Sequence, residues 1–324
     1  MRRFLSLTLI IAIFTVASPL IAIPDSDGPL IDLNKVTEKE ETSTQKAEEE
    51  KEKTVKVFSS ADNAVSTVGE KEYIIGCVAG EMPVTYETEA LKAQAVACYT
   101  FLKWKQNQGG SEKKDGADIE SSQSDQVYMT KEQMKEKWGK DFEKHYKKLS
   151  EAVSKVYGKT LTYEGEPIMA VFHAVSTGKT EDARNVWGYE IPYLKSVSSE
   201  GDRLSPAFSS TLVLSDDEFK NLLSEVDFSG KADSWIKETD SSDAGTVTKI
   251  TVCDKSFTGE QIRNALSLKS AAFTVKHTED SFVFTVNGYG HFVGMSQYGA
   301  DFMAKQGFKY DEILKHYYTG VNID

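Results

Sequence analysis

Glu81, in the run Gly80-Glu81-Met82-Pro83, is the residue of this chain best placed for proton chemistry. Tyr73, Ile74, Cys77 and Val78 recur at helical spacing, which predicts an amphipathic helix from Val68 to Gly80 with Glu81 in its last turn or just beyond. Pro83 bars continuation. A carboxylate is disfavoured at the negative end of a helix dipole, so its carboxyl tends to stay protonated. That is the condition a general acid needs near neutral pH. The plainer alternative is a capping or solvated carboxylate, as most glutamates are.

Two further clusters carry reactive groups. Phe172-His173-Ala174-Val175-Ser176-Thr177-Gly178-Lys179-Thr180-Glu181-Asp182 sets a histidine, three hydroxyls and two acids at the end of a predicted strand, where groups can converge on a cleft. Trp187 and Tyr193 follow it, and aromatic faces suit sugar rings, though they also serve as core. The second cluster, from Gly288 to Gly299, contains His291, Ser296, Gln297 and Tyr298 among glycines that permit tight turns or close backbone approach. It is neither a GxGxxG nor a Walker pattern, which argues against phosphate. No HExxH or paired-cysteine spacing joins His173 and His291 into a metal site. Ser176 or Ser296 with either histidine has the composition of a nucleophile, but no GxSxG elbow is present.

The elements around these groups indicate an exported α+β protein. Arg2 and Arg3 precede an uncharged apolar stretch, Phe4 to Ile23, long enough as a helix to span about 30 Å of bilayer. It reads as an uncleaved anchor with the bulk of the chain outside the cytoplasm. A cleaved signal peptide is the alternative, with Val16-Ala17-Ser18 as a passable site. Residues 24–55 form an acidic tether expected to be disordered; from Pro24 to Thr54 it holds ten acidic and five basic side chains. Of the total charge of −12, this tether carries −5 and the two arginines +2, leaving −9 on residues 56–324. Such an acidic body argues against nucleic acid as a partner. Cys77 and Cys98 fall on apolar helix faces and read as small core residues, and three cysteines cannot all pair.

Periodicity predicts a second helix from Thr88 to Gln106 with Leu91, Ala95, Cys98 and Leu102 on one stripe, and a charged helical region from Lys131 to Val156. Strands are predicted at Leu161–Tyr163, Ile168–His173, Thr246–Val252, Ala272–Lys276 and Ser281–Val286. Further helices are predicted over Asp216–Val226, from Thr258 as N-cap to Leu268, over Ser296–Lys305 and over Asp311–Tyr318. Helices mixed with hairpin-like strands favour α+β over a doubly wound sheet, in one large domain or two linked lobes.

Taken in order, Gly80-Glu81-Met82-Pro83 with the Glu89–Ala97 helix, the His173–Glu181 loop, Pro192-Tyr193-Leu194-Lys195-Ser196-Val197, Val293-Gly294-Met295-Ser296-Gln297-Tyr298-Gly299-Ala300 and the ending Glu312–Val321 resemble the stage II sporulation protein D family. The resemblance spans about residues 56–324. It implies a membrane-anchored peptidoglycan lytic transglycosylase acting in forespore engulfment, on glycan strands stripped of stem peptides. It also implies an amidase partner, stage II sporulation protein P, and a membrane scaffold, stage II sporulation protein M. Glu81 would be the catalytic acid and base, in a groove lined by His173, Ser176, Thr180, Glu181, Tyr193, His291, Ser296, Gln297 and Tyr298. A non-catalytic glycan-binding module that activates an amidase is the competing expectation.

The chain departs from the family pattern in three places. Tyr99 stands where an arginine is common, Phe292 replaces the last glycine of a Gly-His-Gly, and Ser176-Thr177-Gly178-Lys179 replaces a Ser-Gly-Gly-Arg loop. These changes imply a bulkier, less basic groove. Some members hold zinc through a Cys and a His in a loop whose counterpart here, Asp118–Gln126, has neither, so no metal is expected.

Overall fold

The computed structural model describes residues 53–110, 116–122 and 124–324. The expected anchor, residues 1–23, and nearly all of the tether lie outside these; among the described residues no helix is long and apolar enough to cross a membrane. The chain opens with an antiparallel pair, β1 (Thr54–Ser59) and β2 (Ala64–Gly69), followed by α1 (Glu70–Glu81) and α2 (Thr88–Asn107). Strand β3 (Ile119–Ser121) returns parallel to β1, and α3 (Lys131–Trp138) and α4 (Phe142–Val156) follow. Next come β4 (Leu161–Tyr163), β5 (Glu166–Pro167), β6 (Phe172–His173) and the short helix α5 (Ala183–Trp187).

A separate run of elements then intervenes. It holds β7 (Ser209–Ser215), α6 (Asp216–Leu222), β8 (Ile236–Ser241), β9 (Val247–Val252), β10 (Lys255–Phe257), α7 (Gly259–Leu266), β11 (Phe273–Thr278) and β12 (Ser281–Asn287). Finally β13 (Met295–Ser296), α8 (Gln297–Lys305), α9 (Tyr310–Tyr317) and β14 (Asn322–Ile323) return to the first part. The strand pairs among the described residues are antiparallel apart from β1–β3 and β6–β13, in keeping with the expected α+β class.

The main core is organised around α2. Small and apolar residues on all its faces (Ala90, Leu91, Ala93, Ala95, Val96, Ala97, Cys98, Leu102) are buried, so α1, α4, α8 and α9 can all pack against it. The predicted single stripe is therefore part of a helix buried nearly all round. Cys77 and Cys98 sit in this core as free thiols. The intervening segment closes a second core of its own, where Phe219 stacks on Phe282 at 4.2 Å between ring centroids, with Trp235 and Phe284 beside them. The two clusters share no buried residue, so the described residues form one compact unit with two cores, each the centre of a lobe.

Differences from the sequence expectations have local causes. The region Lys131–Val156 is helical as expected, in two helices, because the backbone turns at Gly139 (φ +49°, ψ −122°) after a helix capped by Thr130 and Gln133. The strand expected over Ile168–His173 shrinks to β6, whose partner β13 is only two residues long. Helix α6 stops at Leu222 rather than Val226. Strands β1, β2, β7 and β8 carry no expectation, since β2 and β8 are largely exposed and lack a strong apolar alternation.

A close backbone approach on α1 shapes the surroundings of Glu81. Gly76 and Gly80 lie one turn apart on this helix, and the segment Val127–Met129 presses on that face. A Cβ at Gly80 would sit 2.5 Å from the Val127 carbonyl oxygen, and one at Gly76 would sit 2.3 Å from the Tyr128 ring. The Met129 N–H donates to the Gly76 carbonyl at 3.2 Å. Helix propensity alone favours alanine over glycine by about 0.5–1 kcal/mol. Gly80→Ala should nonetheless lower the unfolding free energy in urea by about 1–3 kcal/mol, as overpacking against backbone does. A gain in stability would show that this contact yields easily.

Candidate active site

A cleft of about 950 Å³ runs between the end of α1, the segment Met169–Ala174, Trp187, the C-terminal end of α7 and the turn Tyr289–His291. Glu81 stands in its wall as the last residue of α1. Met82 is extended and its N–H closes the helix on Val78 at 3.0 Å. The Glu81 Oε1 accepts the Val127 N–H at 2.6 Å, and no cation pairs with the carboxyl among the described residues. Burial pushes its pKa up to about 7, against the lowering effect of the Val127 hydrogen bond. The helix end is where periodicity placed Glu81, but desolvation is the larger cause of its retained proton.

His173 and His291 meet across the cleft floor, ring centroids 6.0 Å apart, and the backbone of Val293 fixes both rings. Its carbonyl lies 3.2 Å from His173 Nδ1, which must therefore donate; its N–H donates to His291 Nδ1 at 3.0 Å, which must therefore accept. Burial, then the neighbouring His291, lowers His173 to about 3. Burial, then the nearby Arg263 guanidinium, lowers His291 to about 4, and its ring also hydrogen-bonds to the Phe172 backbone. Both imidazoles are thus neutral in fixed and opposite tautomers. His173 Nε2 is left as a lone-pair acceptor, buried and without a hydrogen-bond partner. It is suited to a hydroxyl or amide N–H of a ligand. Gly294 makes the geometry feasible: its φ is +74°, and a Cβ there would lie 2.1 Å from the Val171 carbonyl oxygen.

Gln297 also reaches the cleft, at the start of α8, with its amide 3.5 Å from Gln94 Oε1. The other expected groove residues are used elsewhere. Ser176 and Ser296 both donate to the buried carboxylate of Asp202, Ser296 Oγ at 2.7 Å, and the Ser176 N–H joins them at 2.8 Å. Neither serine bonds to a histidine, so the nucleophile reading lacks its base. Ser296 also caps α8 through the Gly299 N–H. Thr180 is buried and its Oγ1 accepts the Val197 N–H at 2.8 Å. Glu181 is buried and bound to the Asp182 N–H, Asn185 and Ser242. Tyr193 takes the Met169 N–H on its hydroxyl, and Tyr298 donates to the Leu204 carbonyl while its ring meets Tyr86 edge-on. These six hold loops together rather than face the cleft. Tyr99 and Phe292, the two bulky departures, are buried and also stand outside it.

The cleft contains groups that the sequence pattern did not single out. Asp125 faces it, but its Oδ1 is paired with Lys105 at 2.7 Å and its Oδ2 accepts the Glu120 N–H at 3.0 Å. Arg263 and Lys269 come from the second lobe, and Tyr289, 45% exposed, from the glycine-rich turn. An exposed aromatic within a glycine run is the available signal for Tyr289; Arg263 lies in the last turn of α7 and Lys269 just beyond it, and neither carries a pattern.

The fold and cleft together define an α+β protein with one carboxyl of raised pKa in the wall of a cleft of about 950 Å³. The SpoIID family model, described as stage II sporulation protein, matches residues 59–163, which include Glu81. Stage II sporulation protein D of Bacillus subtilis (strain 168) is 36% identical over 332 residues, covering all of this chain and 96% of the relative. That of Bacillus amyloliquefaciens is 41% identical over 270 residues, covering 83% and 78%. A Bacillus subtilis (strain 168) protein named amidase enhancer is 28% identical over 304 residues, covering 76% of this chain and 40% of that relative. The chain belongs to the stage II sporulation protein D family, whose named members are sporulation proteins.

Two measurable outcomes arise from these groups. The folded protein holds the Glu81 proton more tightly than the unfolded chain, whose carboxyl titrates near 4.5. Stability due to this group is therefore full below about pH 4.5 and is lost as pH rises through about 7. Glu81→Gln should match the wild type in urea unfolding at pH 4 and exceed it at pH 8 by on the order of 2–3 kcal/mol. Equal stability at both pH values would contradict the desolvation of Glu81. Asp202→Ala leaves a buried N–H and two hydroxyls unpaired and should cost about 3 kcal/mol or more in the same assay.

Proposed function

We propose that this chain is a peptidoglycan lytic transglycosylase of sporulation, with Glu81 as its one acid and base. The observation that carries this reading is a half-buried carboxyl with no ion pair among the described residues, its pKa pushed up to about 7, on a cleft whose other carboxylate, Asp125, has both oxygens engaged. The protonated Glu81 donates to the glycosidic oxygen as the C1–O bond of the muramyl residue breaks. The resulting carboxylate then removes the proton from that residue's C6 hydroxyl, whose oxygen bonds to C1 and closes an anhydro ring. No water enters, and Glu81 ends protonated. An intramolecular hydroxyl replaces the second carboxylate that hydrolases use. Neutral His173 supplies an acceptor for a sugar O–H or N–H, and Trp187 and Tyr289 supply ring faces.

In this reading residues 1–23 hold the protein in the membrane with residues 56–324 outside the cytoplasm. Its substrate is peptide-stripped glycan, prepared by the amidase stage II sporulation protein P, and stage II sporulation protein M is its membrane scaffold. Family membership supports the sporulation role. The relative named amidase enhancer supports a second reading, a glycan-binding module that stimulates an amidase.

Mass spectrometry of peptide-free glycan strands incubated with the full-length chain in mild detergent separates the readings. Anhydro-muramyl ends are expected, lowered by about 10³-fold or more in Glu81→Gln and falling above about pH 7 as the acid ionises. Reducing ends formed through Asp125 would indicate a hydrolase, and Asp125→Asn would abolish them. No cleavage by wild type would leave the binding module as the function, and unchanged cleavage by Glu81→Gln would overturn Glu81 as the acid and base.

A further inference from the structure

We propose that Lys269 and Tyr289 form a subsite for a carboxylated sugar, and that on a peptidoglycan strand its ligand is the free lactyl carboxylate of a muramyl residue. The identity of the ligand rests on the proposed glycan-cleaving function; the anion subsite rests on the cleft itself.

The cleft runs against the charge of the molecule. The chain carries −12 overall, yet the cations in this cleft outnumber its free anions. Glu81 keeps its proton near neutral pH and Asp125 is neutralised by Lys105. Arg263 is half spent on Glu260, at 3.1 and 3.2 Å. Lys269 is exposed and forms no ion pair among the described residues. Its ammonium lies 5.8 Å from the centre of the Tyr289 ring, within reach of a cation–π contact.

The pair is held by backbone on both sides. The Lys269 carbonyl accepts the Gly290 N–H at 3.0 Å, and Arg263 Nε donates to the Leu268 carbonyl at 3.4 Å. Tyr289 exchanges two backbone hydrogen bonds with Val175, at 2.7 and 3.1 Å. Close by, His291 is one of the two neutral imidazoles of the floor. An unpaired cation beside an exposed ring suits a sugar that offers an apolar face and, next to it, an anion. A muramyl residue has this form: its lactyl group ends in a carboxylate when no peptide is attached and in a neutral amide when one is. Lys269 thus distinguishes the two forms by charge, and Tyr289 carries the ring or the lactyl methyl.

Full-length protein carrying Glu81→Gln, so that strands are not consumed, is titrated with peptide-free glycan strands and with the same strands after carbodiimide coupling to methylamine. The expected result is roughly tenfold or greater weakening on the amidated strands, fading with added salt. Lys269→Ala should bind both forms equally and Lys269→Arg should keep the preference. Equal binding before any change at Lys269, or a preference that survives Lys269→Ala, overturns the subsite. If the preference holds while the unmodified chain makes no anhydro ends, the lytic reading fails and the subsite stands. If anhydro ends form equally well from both strands, the subsite fails and the lytic reading stands.

Discussion

The contact on which the cleft depends is the seating of Val127–Met129 on the glycine face of α1. It brings an N–H to Glu81 and at the same time takes part of the carboxyl's hydration away. The two effects oppose each other. The hydrogen bond favours the ionised form, whereas loss of hydration favours the neutral one, and desolvation prevails. A larger residue at Gly76 or Gly80 would relieve both effects together, since the loop could no longer lie flat. The acidity of Glu81 is therefore set by two residues that have no polar side chain.

Elsewhere in the site, backbone and buried carboxylate take over roles that side-chain types suggest for the cleft. Val293, an aliphatic residue, fixes two histidine tautomers through its peptide groups. Asp202 gathers Ser176 and Ser296 from distant loops, and Ser199 beside it meets the Tyr317 hydroxyl at 2.8 Å. This knot joins the loop after β6 to the start of α8. The two strands β6 and β13 are only two residues long, so the knot supplies order that the ladder does not.

Such arrangements limit how much of the molecule is legible in its sequence. Helices α7 and α8 are legible because apolar period and cap residues agree there, in the Thr258–Gln261 capping box and the Ser296 cap, whereas α1 and α2 have no side-chain cap and are legible from their apolar residues and terminators. Strand β8 was not, since Ile236–Ser241 is exposed almost throughout and has no apolar face to betray it. For the site, chemistry-bearing residue types were legible but their direction was not. A serine beside a histidine reads the same whether it faces a ligand or a buried aspartate, and Asp202 sits in a 3₁₀ helix, Glu200–Leu204, too short for a period to mark its burial. His173, His291 and Gln297 reach the cleft, whereas Ser176, Thr180, Glu181, Tyr193, Ser296 and Tyr298 do not.

The two lobes contribute opposite kinds of group to the cleft. The first lobe supplies a proton donor made neutral by burial, on a floor of neutral imidazoles. The second supplies permanent cations at the end of α7, near enough for Arg263 to depress His291. A cation placed beside Glu81 itself would hold its pKa down and remove the acid. Pairing Lys105 with Asp125, and setting Arg263 and Lys269 on the other lobe, lets the cleft carry positive charge with no ion pair to its acid. The intervening lobe, with a core of its own, is thus a means of adding charge recognition to the cleft without changing the acidity on which catalysis by Glu81 would rest.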